Sequence, residues 1–408
     1  MAVVQPVALG FSPLDEELGL LPGSLTPRLC EALVRLATHI PSFAKASGEL
    51  AYFTGVHIHP DTVRQRTEAA GAVLVAAETA EAERILHEHP APPTTPDTLI
   101  LSVDGAMIPL VHGQWTEVRT LAVGEVQPPK PTPDGPLVQT TNLSYFSRRT
   151  DSATFSELAV LELHRRGIEA ARRVGAVVDG AAWCQSFVEL HYSEAVRILD
   201  FAHAAQYLTT IAQTAGTDGP LLSEAEQATL RQALKQDGAE AVLERLREVV
   251  ASQPDNEELT TALAYLEARV AQMRYPQFVA DGWPIGSGMV ESANKLVVEE
   301  RLKGAGMHWA EPNVNPLLAL RNAICNDRWD ECWSVIERRQ RRQLAVRRQA
   351  RRDRSRVVCP AVAPPSATAP PHTPVARPPN LVEPQVKQPH PWKRAWSVRR
   401  QRELAGAA

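Results

Sequence analysis

Residues 98–106 read Thr-Leu-Ile-Leu-Ser-Val-Asp-Gly-Ala, and residues 174–181 read Val-Gly-Ala-Val-Val-Asp-Gly-Ala. Each is a short apolar run that closes on the same tripeptide. Runs this short, bounded by turn residues, read as buried strands. The carboxylates of Asp104 and Asp179 then stand where two strands leave a sheet, each followed by a permissive glycine. If the strands are neighbours, the carboxylates come together. Like charges at that separation repel, and the arrangement is tolerated mainly around a divalent cation. Asp-Gly is also a common turn dipeptide after any strand, so the pairing gains its weight from what surrounds it.

Working outward, residues 115–126 and 140–147 read as further strands, separated by a proline-rich loop at 128–136. An amphipathic helix is predicted over 152–166 and a fifth strand over 195–199. The order is three strands, helix, strand, helix, strand. The first three can form a meander, and the later ones need helical crossovers. The predicted fold class is therefore α/β, a mixed sheet with helices on its faces.

Residues 1–95 read as a helical module, joined to the sheet by the linker at 90–96. Helical spacing covers 29–37 and 43–53, with a break at Thr54 and Gly55. A further helix is predicted from Pro60, ending before Gly71. Helix, turn and a helix bearing Thr62, Arg64, Gln65 and Arg66 have the form of a DNA-reading helix-turn-helix. An ordinary helical hairpin has the same pattern. After the strands, 201–280 reads as a helical insertion, because a stretch of that length does not stay structureless inside a compact domain. Helices predicted over 289–303 and 316–338 complete a sheet domain spanning 96–200 and 281–337.

The chain has 408 residues and a formal charge of -4, with its charges segregated. From Arg338 to the end there are 17 basic and 3 acidic residues, against 26 basic and 44 acidic before it. An acidic body with a basic tail points to a polyanionic partner. Residues 338–356 contain ten arginines and are open to two readings, helix extension or disorder. Residues 360–391 hold eleven prolines and cannot build a packed core. No apolar run reaches the length of a membrane span, and the start carries no secretory signal, so a cytoplasmic protein is expected. The five cysteines are scattered, which excludes a disulfide framework or a cysteine zinc site as the organising feature.

Two more features bear on chemistry. In Gly286-Ser-Gly-Met-Val-Glu-Ser292 the glycines open a turn into a helix, with Glu291 in its first turn. The helix dipole favours a glutamate there, and a surface pair with Lys295 is a second structural reason for it. Asp200 and His203 are three apart just after the fifth strand, where they can form an orienting pair. Asn294, Lys295, Arg301 and Lys303 follow Glu291 as candidate phosphate contacts. Trp183, Trp283 and Trp309 are candidate base-stacking platforms, although buried packing is the commoner role.

The combination of Asp104, Asp179, Asp200-x-x-His203, a helical insertion and Glu291 resembles a ribonuclease-H-like DDE transposase. Leu14-Asp-Glu-Glu-Leu-Gly-Leu20, Val103-Asp-Gly-Ala106, Asp179-Gly-Ala-Ala-Trp183 and Gly286-Ser-Gly-Met-Val-Glu-Ser292 are similar to segments of bacterial insertion-sequence transposases of the ISKra group. The Asp-x-x-His motif and the insertion are shared with Mutator-like relatives. The resemblance implies that Asp104, Asp179 and Glu291 are the metal-holding catalytic triad, with two Mg²⁺ or Mn²⁺ ions. It further implies double-stranded DNA (element ends and target) as substrate, and a homodimer or larger assembly on that DNA. Members of the group tend to carry a cysteine-rich segment ahead of the region at 14–20. None is found here, so either an N-terminally shortened copy or a misassigned start is expected. The alternatives are an inactive DNA-binding relic and a metal-dependent nuclease without strand transfer. A glycosidase using two carboxylates fits poorly, since aromatic residues are only 5% and the arginines would be unexplained.

Overall fold

The computed structural model describes residues 25–132, 135–216 and 219–358. The stretch at 14–20, the proline-rich tail and the final basic patch lie outside the described residues. The described residues up to Ala350 belong to one compact unit, and those from Arg351 to Val358, the end of a helix, to a second.

Three helices come first: α1 (Pro27–His39), α2 (Phe43–Thr54) and α3 (Pro60–Glu88). Thr26 and Ser42 cap the first two with their side chains, and Gly55 ends α2 at φ 70°, a left-handed conformation suited to glycine. The expected stop before Gly71 is not observed, since α3 continues to Glu88. The physical reason is close helix packing. A Cβ on Gly71 would stand 2.1 Å from the Pro316 carbonyl oxygen, so this glycine admits a neighbouring helix.

The sheet has five strands: β1 (Thr98–Pro109), β2 (Trp115–Val126), β3 (Thr140–Arg148), β4 (Arg173–Val178) and β5 (Val196–Leu199). Their order is β3-β2-β1-β4-β5. β1, β2 and β3 form an antiparallel meander, whereas β4 and β5 run parallel to β1. Helices α4 (Ser152–Arg165) and α5 (Ala182–His191) make the crossovers. The loop expected at 128–136 folds partly into a hairpin, Lys130–Thr132 with Gly135–Leu137.

The insertion holds α6 (Phe201–Gln213), α7 (Glu224–Gln236), α8 (Glu240–Ala251), α9 (Glu257–Glu267) and α10 (Tyr275–Ala280). It also contains a minimal hairpin at Ala215–Gly216 and Gly219–Pro220. Helix α11 (Gly288–Ala293) runs into a π-helical turn (Asn294–Glu299) and a closing turn (Glu300–Leu302). The helix expected over 316–338 is two helices, α12 (Glu311–Cys325) and α13 (Trp329–Val358), broken at Asp327 with φ 54°.

Side chains alternate across the sheet. Leu99, Leu101 and Val103 of β1 share a core with Val174 and Ala176 of β4 and with the crossover helices. The opposite face is divided. Ile100, Val177 and Ile198 lie under the insertion, in a core with Leu208, Leu243 and Trp283. Ala106, Ile108 and Val118 lie under Val290, Val297 and Leu318. Burial of each such Leu, Ile or Val contributes roughly 1.5–3 kcal/mol. The N-terminal helices are not a free-standing module: Leu33, Leu50 and Leu74 share a core with Leu320, Trp329 and Trp333.

Candidate active site at the seam of the sheet

Asp104 continues the face that carries Ile100 and precedes Ala106. It therefore sits at the seam between the two helical covers. The β1–β4 register pairs Thr98 with Arg173 and Leu101 with Ala176. The pairing ends at Leu101 and Ala176, and Asp179 is the residue just past β4, so the continued register would bring the two carboxylates to one end of neighbouring parallel strands.

Each is anchored locally. Asp104 accepts from the Gly105 N–H at 2.7 Å and from the Asn294 side-chain amide at 2.9 Å. Asp179 accepts from the Ala181 N–H at 3.0 Å, at the start of α5. Asn294 lies one turn beyond Glu291, so its bond to Asp104 brings the Glu291 helix to the seam. Glu291 itself is exposed in the first turn of α11. Burial, together with the negative charges of Asp179 and Glu291, pushes the Asp104 carboxyl above its ordinary range, while the Gly105 bond and His203 pull it the other way. Burial and the charges of Asp179, Asp104 and Glu117 push the Cys184 thiol far up, so Cys184 is an inert neighbour.

Asp200 is 1% exposed and acts as a knot. One oxygen accepts from the His203 N–H and from His203 Nδ1, both at 3.0 Å, and the other from the Ser287 N–H at 2.8 Å. The Phe201 N–H donates to the Ile285 carbonyl at 2.9 Å, and the Asp200 N–H donates to Val178 at 2.9 Å. The end of β4, the start of α6 and the loop leading to Glu291 are joined at this one residue. Burial acts to raise the Asp200 carboxyl, but the bonds from His203 and Ser287 hold it below its ordinary value. The bond to Asp200, with the charges of Asp179 and Asp104 behind it, raises the His203 imidazole against burial.

The expected phosphate contacts divide. Lys295 is exposed beside Glu291, and Lys303 pairs with Glu299 at 2.8 Å on the surface. Asn294 is buried against Asp104, and Arg301 is 0% exposed; neither faces solvent where a phosphate would lie. Arg301 donates to the Ala37 carbonyl at 3.0 Å and lies over the rings of Phe43 and Trp309. Burial lowers its pKa to about 10. The π-turn leaves room for Arg321, which donates to the Leu296 carbonyl; such widened turns often accompany functional sites. Trp283 and Trp309 are core residues, 2% and 8% exposed. Trp183 is half-buried under Arg119.

In α3, Val63 and Thr67 face the core, while Gln65 is exposed and Thr62 and Arg66 are half-exposed. Arg64 is held by Glu68 at 3.0 Å. A groove of about 620 Å³ lies between the alanine face of α3 and Arg338, Arg339 and Arg342 of α13. A cleft of about 700 Å³ opens beside Asp179 and His203, walled by Tyr207, Thr210 and Glu257.

Three carboxylates are the hard oxygen donors that Mg²⁺ or Mn²⁺ takes. One observation fits such an ion: the buried Asn294 Oδ1 beside Asp104 has no hydrogen-bond partner. As they stand, no three His, Cys, Asp or Glu side chains among the described residues are gathered tightly enough to hold one ion. Among the same residues no helix is long and apolar enough to cross a membrane.

Two contributors carried no usable signal in the sequence. Tyr265 and Arg269 of the insertion reach Gly180 across 85 and 89 residues. Asn294, by contrast, shares a helical face with Glu291 at i, i+3, and that spacing was legible. No protein-family model matches the chain, and no curated protein matches it.

Proposed function

We propose that the protein is a DDE transposase, a metal-dependent polynucleotidyl transferase that cleaves DNA at the ends of an insertion sequence and joins them to a target. The observation that carries this reading is the hydrogen bond from Asn294 to Asp104, which ties the Glu291 helix to β1, the strand that pairs in parallel with β4 just ahead of Asp179. The meander followed by two parallel crossovers is in keeping with a ribonuclease-H-like core.

In this reading Asp104, Asp179 and Glu291 hold two Mg²⁺ or Mn²⁺ ions. When bound, such ions activate an oxygen nucleophile and stabilise the leaving oxygen of a phosphodiester. The protein's own groups do the rest. Asn294 fixes the Asp104 carboxylate. Asp200 fixes the loop that presents Glu291, and it orients His203 at the mouth of the cleft beside Asp179. Lys295 offers a positive charge next to Glu291 for a phosphate. The arginines of α13 neutralise backbone phosphates without reading sequence, while Thr62, Gln65 and Arg66 on the outer side of α3 are the candidates for contacting element ends. Two ends must be handled together, which favours a dimer or larger assembly on DNA.

The test is a strand-transfer assay with labelled DNA carrying the element's ends and Mg²⁺ or Mn²⁺. Joined products support the reading. Cleavage without joining reassigns the chain as a nuclease, and DNA binding with neither reaction marks it as an inactive relic.

A further inference from the structure

The two Asp-Gly-Ala segments meet different neighbours at their glycines. At Gly105 an added Cβ would meet the Glu117 carboxylate at 2.2 Å, on the neighbouring strand. At Gly180 it would meet Arg269 Nε at 2.2 Å and the Tyr265 hydroxyl at 2.3 Å. Those two residues belong to the helical insertion, and both are bonded to the Gly180 backbone. The Gly180 N–H donates to the Tyr265 hydroxyl oxygen at 2.8 Å, and Arg269 Nη2 donates to the Gly180 carbonyl at 2.7 Å.

The pair is braced. The Arg269 guanidinium lies 3.9 Å from the Tyr265 ring centroid, and its Nη1 donates to the Tyr265 carbonyl at 2.8 Å. The other partner of the Tyr265 ring is Tyr207 of α6, stacked at 3.8 Å and 16°. Tyr207 also walls the cleft that contains Asp179 and His203. Burial pushes the Tyr265 hydroxyl up to about 12, so it stays protonated and neutral at physiological pH. A second tie joins Gln185 of α5 to Gln272, at 3.2 Å.

We infer that Tyr265 and Arg269 are positioning residues for Asp179: the helical insertion grips the peptide that follows this aspartate and so sets where its carboxylate stands. The inference rests on the reading that Asp179 holds a divalent ion. Both polar groups of Gly180 are committed to the insertion, and Asp179 is bonded onward to Ala181. The backbone on the C-terminal side of Asp179 therefore cannot turn without breaking a bond to the insertion. The insertion thus acts as a brace on the site as well as a cover for the sheet.

The test compares full-length wild type with Tyr265→Phe, which keeps both ring stacks and removes only the hydroxyl, and with Arg269→Lys as the second variant. Amide hydrogen exchange is followed across residues 179–182, and Mn²⁺ binding is followed by calorimetry. The expected result is faster exchange confined to that segment, with the five strands unchanged, and Mn²⁺ affinity lowered by up to about tenfold, the equivalent of one hydrogen bond. Exchange and affinity that match wild type in both variants overturn the brace. Faster exchange spread over the whole sheet also overturns it, since that is general destabilisation. If wild type binds no Mn²⁺, the metal reading fails, and the exchange data still decide whether the insertion holds the segment.

Discussion

Asp200→Ala is the perturbation with the most visible consequences. The carboxylate is 1% exposed and receives three hydrogen bonds, two from His203 and one from Ser287. Bonds to a charged group contribute about 1.5–3 kcal/mol each when taken singly. They do not add here, because all three share one acceptor group and the His203 side chain is 39% exposed, which screens its share. The better guide is removal of one partner from a buried, bonded charge, about 3–5 kcal/mol. Asp200→Ala is therefore expected to lose about 3–5 kcal/mol, and Asp200→Asn less, since its amide oxygen still accepts from one donor.

The effect carries a pH signature. The Asp200 carboxyl is held below its ordinary 3.8, so its stabilisation is present above that pH and is lost as pH falls through the folded value. The His203 imidazole is raised above 6.5, so its contribution is complete below 6.5 and is lost as pH rises through the folded value. The difference between wild type and Asp200→Ala should be largest between these two values and shrink on either side. Thermal unfolding across pH 3 to 9 measures it. A variant that unfolds with wild type at every pH, or a difference independent of pH, refutes the knot.

Further outcomes follow from single residues. Gly71→Ala should destabilise by about 1–3 kcal/mol through overpacking against Pro316, although alanine favours an exposed helix by about 1 kcal/mol; chemical denaturation gives the sign. Arg301→Met should leave DNA affinity unchanged, because Arg301 is fully buried, whereas Lys295→Ala should weaken binding in a fluorescence anisotropy titration. Replacing Arg338, Arg339 and Arg342 by alanine should weaken binding to all sequences alike. It should also flatten the salt dependence by about one unit of slope for each phosphate that is no longer neutralised.

The sheet was largely legible because strand periodicity is a local property, but the expected end of β1 at Asp104 was not observed, since Asp104, Gly105 and Ala106 stay paired with β2 and the strand runs to Pro109. All five strands lie where their apolar runs stand. What was not legible came from tertiary contact. Gly71 reads as a helix end until Pro316 lies against it. Arg301 reads as a free cation until Phe43 and Trp309 close over it. Asn294 reads as a phosphate ligand although its amide is taken by Asp104. The grip of Tyr265 and Arg269 on Gly180 spans the whole insertion, and nothing local announces it. In each case a residue typical of one role was claimed by a neighbour distant in sequence.

Asp104, Asp179 and Glu291 are proposed to act as one unit. Single-turnover cleavage of labelled element-end DNA in Mg²⁺ tests this, using Asp104→Asn, Asp179→Asn, Glu291→Gln and the Asp104→Asn/Asp179→Asn double variant. Each single change is expected to abolish cleavage about as fully as the double, since groups that act together lose their function together. Cleavage that survives Asp104→Asn or Asp179→Asn at the wild-type rate contradicts the triad.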